Sequence, residues 1–561
     1  MDISRTPPGP RPLRRREFLS RAGAGGLVIG LGAVAAGELA PAATAATAAT
    51  AFGYTNSGGY FTVSTGAGLT FKIRQSNGDM TSLNYNGTEL QDQSSFSQVE
   101  SGLGTGASVT AAQSGDYIII RESVTNWYGS GTLVHYLVAV SGQNNVYLAT
   151  YVNSAGGGEL RWISRLNRSV ISSVYAPADV EGGTAIESTD IDLVNGQTRS
   201  KYYSNRQAMS LTVRGIPGAS IGAYMAYGLR ESDAGGPFFR DIEQQGVNDA
   251  QLYNYLWSAH NQTEAQRLGV LYGPYALMIA GTATPAAPDM TFMYGLGLQG
   301  SVAASGRGNV AGAVSGIPSD ATATATVGWA NATAQYWAVP GSNGGFSSPL
   351  MKPGTYTQTL YQGELAVATR TVTVTAGTAT TGQNIASAWV TPASPIFRIG
   401  TWDGTPSGFL NWANLTWMHP SDTRNASWGP VTYTVGSSAA AQFPAYQWKA
   451  VNNPTTVKFT LGSGQIAART VRIGITAAYA GGRPQITVNS WTSAAPGPSS
   501  QPSSRSLTIG TYRGNNALYT YAVPASAFVS GTNTMTITVI SGSSGSGYLS
   551  PGYSYDCVEM Y

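Results

Sequence analysis

The chain has one cysteine in 561 residues, three histidines and five lysines, and only 11% of its residues are charged. A single cysteine, Cys557, excludes an intrachain disulfide framework, and with no histidine or basic neighbour in sequence it reads as a buried, inert thiol. So little charge excludes coiled coils and other helix assemblies held by surface ion pairs. Beyond residue 45 no apolar run reaches the roughly 18 residues of a membrane span. Basic excess is absent too. Lys and Arg number 31 against 28 Asp and Glu; residues 1–45 hold six of those bases and three of the acids, leaving 25 of each. A neutral chain lacks the broad basic surface that displaces counterions from nucleic acid.

What the chain has in excess is glycine, 70 residues, together with 31 Tyr and 12 Trp. That composition suits many short strands joined by tight turns. Residues 1–45 are set apart as an export leader. Arg15-Arg16-Glu17-Phe18-Leu19 precedes a Gly/Ala-rich apolar stretch, and Ala43-Thr44-Ala45 offers small residues for cleavage, the pattern of a twin-arginine signal. The expected product is secreted, extracellular and not membrane-bound.

From Ala51 onward, β-branched and aromatic runs alternate with turns. Leu69–Ile73 leads to Asn77-Gly78, Ser82–Tyr85 leads to Asn86-Gly87, and Asp116–Ile120 and Thr132–Val138 follow. Three consecutive β units are expected: 51–297, a large antiparallel sandwich; 298–385, Ala/Thr/Val-rich with the turn Lys352-Pro353-Gly354 and the size of a seven-strand sandwich; and 386–561, entered through Pro392-Ala393-Ser394-Pro395.

With so few ionisable groups the search for chemistry is short. His135 lies inside an alternating strand and reads as structural, and His419 reads as a turn residue in Met418-His419-Pro420-Ser421-Asp422. His260 sits in a polar, aromatic segment, Tyr253 through Glu264, of the kind that carries function on a β scaffold. Lys201 lies between Arg199 and Arg206 beside Tyr202 and Tyr203, a setting that favours a working base. Gly158-Glu159-Leu160-Arg161-Trp162 and Gly235 through Ile242 are two further clusters. Aromatics, Arg, Lys and one His in one unit suit a groove for an acidic carbohydrate. Asp241 is expected to pair with a nearby arginine such as Arg240, and Glu264 to support the His260 loop.

Thr198-Arg199-Ser200-Lys201-Tyr202-Tyr203, Gly235-Gly236-Pro237-Phe238-Phe239-Arg240-Asp241-Ile242, Tyr253 through Glu264, and Ile399 through Pro406 with Met418 through Asp422 resemble rhamnogalacturonan lyases of polysaccharide lyase family 4, of the rhamnogalacturonase B type. The resemblance spans the chain beyond the leader. It implies an all-β protein: a galactose-mutarotase-like sandwich, a fibronectin type III-like sandwich and a jelly-roll, carbohydrate-binding-like third unit. It implies cleavage of rhamnogalacturonan I, the pectin backbone, by β-elimination, with Lys201 and His260 as the catalytic pair. Arg161, Tyr253, Tyr255, Arg199 and Glu264 would bind substrate. Family members carry cysteines at the positions of Arg214 and Tyr224, and Asn and Gly at those of Trp257 and Ala259.

Elimination needs a neutralised uronate carboxylate, a base at C5 and help for the leaving oxygen. No Asp/Glu run has calcium-loop spacing, so the first task falls to Arg161, with no catalytic metal or other cofactor. A structural calcium ion and the ligand of the third unit stay open, as does which of Lys201 and His260 is base and which acid. The chain is expected to act as a monomer. Two rivals stand beside the lyase: a glycoside hydrolase using two of Glu159, Asp241 and Glu264, and a non-catalytic glycan-binding protein.

Overall fold

The computed structural model describes residues 50–318 and 325–561, so the twin-arginine segment and its cleavage site lie outside the described residues. Helical structure among these residues is confined to short 3-10 turns, and the other regular elements are strands. No helix among them is long and apolar enough to cross a membrane. The all-β expectation is met by three sandwiches in series.

In the first, a seven-stranded antiparallel sheet has as its central strands Gly131–Val140, Asn145–Val152 and Val270–Ala280. A five-stranded meander from Gly53 to Glu89 and a four-stranded sheet pack against it. The two middle strands of the small sheet, Leu160–Leu166 and Ala250–Trp257, decide where the site lies. Their pairing sets Arg161 opposite Tyr255 and Ile163 opposite Tyr253. Successive side chains in a strand point to opposite faces. Trp162, Leu252 and Leu256 therefore enter the main core, while Ile163, Tyr253 and Tyr255 join a second apolar cluster on the outer face with Tyr202, Tyr203 and Ile242.

The second sandwich has Ala325–Ala330, Gly354–Gln362 and Leu365–Val374 as its main sheet. The third is built of two five-stranded sheets, one including Phe397–Gly400, Arg469–Tyr479 and Gly552–Met560, the other Thr455–Leu461 and Gly531–Ile540. Cys557 lies in the last strand, fully buried, its thiol pushed up by that burial, as an inert residue should be.

Charged side chains are buried at the seams between sandwiches. Glu231 of the first is held by Arg307 at 2.7 and 3.0 Å, by Lys352 of the second at 3.1 Å and by the Tyr336 hydroxyl at 2.7 Å. Burial opposes its charge, but these donors outweigh that and keep its carboxyl below the ordinary range. Breaking such a group from one side leaves uncompensated buried charge. Glu231→Ala is expected to cost about 3–5 kcal/mol of unfolding free energy in urea titrations; a loss under about 1 kcal/mol would show that Arg307 and Lys352 find other partners or water.

Candidate active site

The outer face of the small sheet is polar at one end and apolar at the other. Arg161 stands at the polar end with its side chain only 15% exposed. One guanidinium nitrogen donates to the Tyr255 hydroxyl at 2.7 Å and lies 2.9 Å from Glu159 Oε2, while its Nε has no partner in the protein. Tyr253 and Tyr255 are stacked and almost fully buried, with Tyr253 bonded to Gln245 at 3.1 Å. They form a floor that holds Arg161 rather than a groove wall.

Lys201 arrives over this face from a three-stranded meander, Thr184–Glu187, Ile191–Val194 and Gln197–Arg199. Ser200 follows the last strand and caps the short turn Lys201–Ser204, its hydroxyl accepting from the Tyr202 amide at 3.2 Å. That turn buries Tyr202 and Tyr203 and leaves Lys201 pointing outward, 23% exposed. Its Nζ lies 3.8 Å from Asp190 and 5.6 Å from the centre of the Tyr202 ring.

His260 comes in from the end of the other strand. Ala259 and Asn261 on either side of it both have left-handed backbones, φ 60° and 55°, which turn the imidazole back over the sheet. The Ser258 hydroxyl pins the loop, donating to the His260 carbonyl at 2.8 Å. The imidazole packs edge-on to Tyr202, with 6.0 Å between ring centres, and its Nε2 is 3.2 Å from Glu159 Oε1. Lys201 and His260, 59 positions apart in sequence, thus both lie against the Tyr202 ring, with His260 reaching Glu159 and Lys201 reaching Asp190. Burial would raise Glu159, but the His260 hydrogen bond and the charges of Arg161, His260 and Lys201 hold it below the usual range.

Behind Arg161, Glu100 has its Oε2 buried without a partner, and burial, opposed by Arg161 and reinforced by Glu159, pushes its carboxyl up to about 7. Beneath the His260 loop, burial likewise pushes Asp241 up to about 7 against the pull of the Ile242 amide and His260. Among the described residues no three His, Cys, Asp or Glu side chains are grouped to hold a metal ion.

A cavity of about 290 Å³ opens beside His260, lined by Asp190 and Tyr202 of the first sandwich and by Tyr479, Ser504, Arg505 and Ile509 of the third. The third sandwich also grips the segments that carry Lys201 and His260. Asp422 accepts from the Thr198 amide and hydroxyl, each at 2.7 Å; the Tyr203 hydroxyl donates to the Thr508 carbonyl at 2.9 Å; and the Asn261 amide donates to the Ser503 carbonyl at 3.0 Å.

Several expectations need correction. Asp241 does not pair with Arg240, whose guanidinium turns away to Glu364 at 3.1 Å and the Tyr512 hydroxyl at 2.7 Å. His419 is no mere turn residue. It is buried at the seam, 2.9 Å from Glu187 and 2.7 Å from Ser421. Arg199 donates to the Asp179 carbonyl at 3.1 Å, and Glu264 pairs with Arg267 at 2.7 Å and lines a different cavity with Glu364, Arg513 and Trp402. Neither touches the Lys201–His260 pair. His135, as a strand interior suggests, is buried and stacked on Trp162, with burial pushing it down to about 3 and so keeping it neutral. The seam and site roles of Asp190, Arg505 and Asp422 escape a sequence reading, because turn acids and a distant arginine carry no signature of the partners they meet.

Two outcomes test this geometry. Ala259→Gly, which removes the Cβ from a left-handed position, is expected to leave the melting temperature unchanged or add up to about 1 kcal/mol, whereas Ala259→Val is expected to lose at least about 1 kcal/mol; equal stability of the two would mean the loop relaxes out of this conformation. Glu100, raised in the folded state, keeps its proton where the unfolded chain has lost it, so it contributes stability at low pH that is lost as pH climbs from about 4 to about 7. Glu100→Gln should therefore gain on the wild type over that window in denaturation curves, and parallel pH profiles would show that Glu100 ionises normally.

Comparison with known proteins agrees with this architecture. Residues 52–300 match the family model described as rhamnogalacturonan lyase B, N-terminal. Residues 306–382 and 395–560 match those for polysaccharide lyase family 4, domain II and domain III. The rhamnogalacturonate lyase A of Aspergillus aculeatus is 47% identical over 526 residues, 92% of this chain and 98% of its own length. The probable rhamnogalacturonate lyase A of Aspergillus fumigatus is 47% identical over 499 residues, 88% of this chain and 92% of its own. That of Emericella nidulans, named rhamnogalacturonate lyase A, is 45% identical over 519 residues, 91% and 96%. With all three family models matched in order along the chain, the protein belongs to the rhamnogalacturonan lyases of polysaccharide lyase family 4.

Proposed function

We propose that this protein cleaves the rhamnose-α-1,4-galacturonate bond of rhamnogalacturonan I by β-elimination, with Lys201 and His260 as the catalytic pair and Arg161 as the group that receives the uronate carboxylate. The observation that carries this reading is the convergence of Lys201 and His260 on the Tyr202 ring, with His260 held by the same Glu159 that holds Arg161.

The chemistry follows from what elimination demands. The C5 proton of galacturonate is a poor acid while its carboxylate is negative, so a guanidinium against that carboxylate stabilises the developing enolate. The Lys201 amine takes the C5 proton. The electron pair becomes the C4–C5 double bond and the C4–O bond breaks. His260 gives a proton to the departing rhamnose oxygen. With Nε2 engaged by Glu159, Nδ1 is the nitrogen left to serve that oxygen. Glu159 thus orients both His260 and Arg161.

Hydrolysis is the weaker reading because it needs two opposed carboxyl groups across the bond. Glu159 is engaged by His260 and Arg161, and Glu264 faces another cavity. The enzyme is further proposed to be secreted through the twin-arginine route, on the strength of Arg15-Arg16 and the small residues at Ala43-Thr44-Ala45. It is proposed to need no metal for turnover.

Purified protein given rhamnogalacturonan I should produce the ultraviolet absorbance of an unsaturated uronate, and homogalacturonan should not. Lys201→Ala is expected to lose at least about 10³-fold in kcat with KM little changed. Near-full turnover by that variant would remove Lys201 from the mechanism, and reducing ends without absorbance would mean hydrolysis.

A further inference from the structure

Lys201 stands in a field set by two carboxylates. Asp190 lies 3.8 Å from its Nζ, Glu159 acts on it from the sheet edge, and the Tyr202 ring lies under it. Behind Glu159 stand Arg161 and His260; behind Asp190 stands Arg505 of the third sandwich. Arg505 is a two-handed contact. One nitrogen lies 3.0 Å from Glu187 and the other donates to Asp190 Oδ2 at 2.9 Å. Glu187 is itself held by His419 at 2.9 Å, and the Ser188 hydroxyl donates to the same Asp190 oxygen at 3.2 Å. Asp190 is therefore gripped through Oδ2, and Oδ1 is left facing the lysine at 3.8 Å, well beyond the roughly 2.7–2.9 Å of a charge-assisted hydrogen bond.

That distance matters for a base. An opposite charge in contact favours the charged form of an amine, and an ammonium cannot accept a proton. We infer that Arg505 is a positioning residue, holding the Asp190 carboxylate short of Lys201 so that the amine is free to act as the base. The inference rests on the reading of Lys201 as base. It gives the third sandwich a part in turnover, through a contact that spans 315 positions of sequence.

The test is a set of kcat and KM profiles against pH on rhamnogalacturonan I for the wild type, Arg505→Ala, Arg505→Lys, Asp190→Asn and the double variant Asp190→Asn/Arg505→Ala, with melting curves to confirm folding. Freed from Arg505, Asp190 closes on the ammonium and holds its proton. Arg505→Ala is therefore expected to lose about tenfold or more in kcat at neutral pH with KM within about threefold. Its rising limb should move up by about one pH unit, with activity recovering at higher pH. Arg505→Lys, which keeps the charge, should sit between the two, and the double variant should show the limb of Asp190→Asn alone. An Arg505→Ala limb that stays in place overturns the inference, whether activity is kept or is lost with the melting temperature as a merely structural contact would lose it. Turnover by Lys201→Ala would instead fail the reading of the base, so the two failures are separable.

Discussion

The carboxylate of Asp422 fixes the arrangement on which the rest depends. It accepts from both the amide and the hydroxyl of Thr198, three residues before Lys201, and is braced by Arg424 at 2.7 Å. Hydrogen bonds to an ionised acceptor are about twice as strong as neutral ones, and here two of them cross between sandwiches. The strand that ends at Arg199 is thereby tied to the third sandwich, and the turn carrying Lys201 inherits its position. Tyr203 and Asn261 extend the same seam on either side, to Thr508 and Ser503. A small sheet whose outer face would otherwise be solvated is covered at its apolar end by Ile509 of the third sandwich.

Scarcity of charge explains much of the remainder. With 11% charged residues, most ionised groups at the seams are in contact with a partner that has a purpose. Glu231 joins the first and second sandwiches through Arg307 and Lys352, and Glu364 of the second meets Arg240 of the first. At the site itself, Glu159, Arg161, His260 and Tyr255 form one connected polar group over stacked tyrosines. Such a group is rigid because each member satisfies its neighbour, and the Arg161 Nε is the atom it leaves without a partner.

Much of this was legible in the sequence. Period-two runs and Asn-Gly turns announce an all-β chain, and the cluster at Gly158 through Trp162 stands out, though only the sheet shows its tryptophan inward and its arginine outward. Lys201 and His260 stand out because so few other ionisable residues compete with them. Pairings set by tertiary packing were not legible. Arg240 is adjacent to Asp241 in sequence, yet successive side chains in a strand point to opposite faces, so neighbours are poor partners. Glu264 shares the His260 loop but leaves on its far side, toward Arg267. Arg505 and Asp422 belong to loops more than 200 positions away from the residues they hold. Only the docking of the sandwiches brings them there.

The most direct measurement is a crystal structure of Lys201→Ala with a bound rhamnogalacturonan I oligosaccharide. The account predicts one galacturonate with its carboxylate on Arg161, its C5 facing the space vacated by Lys201, and the oxygen on its C4 within reach of His260. An oligosaccharide seated in the cavity beside Glu264 and Arg513, or one whose carboxylate lies away from Arg161, would contradict it.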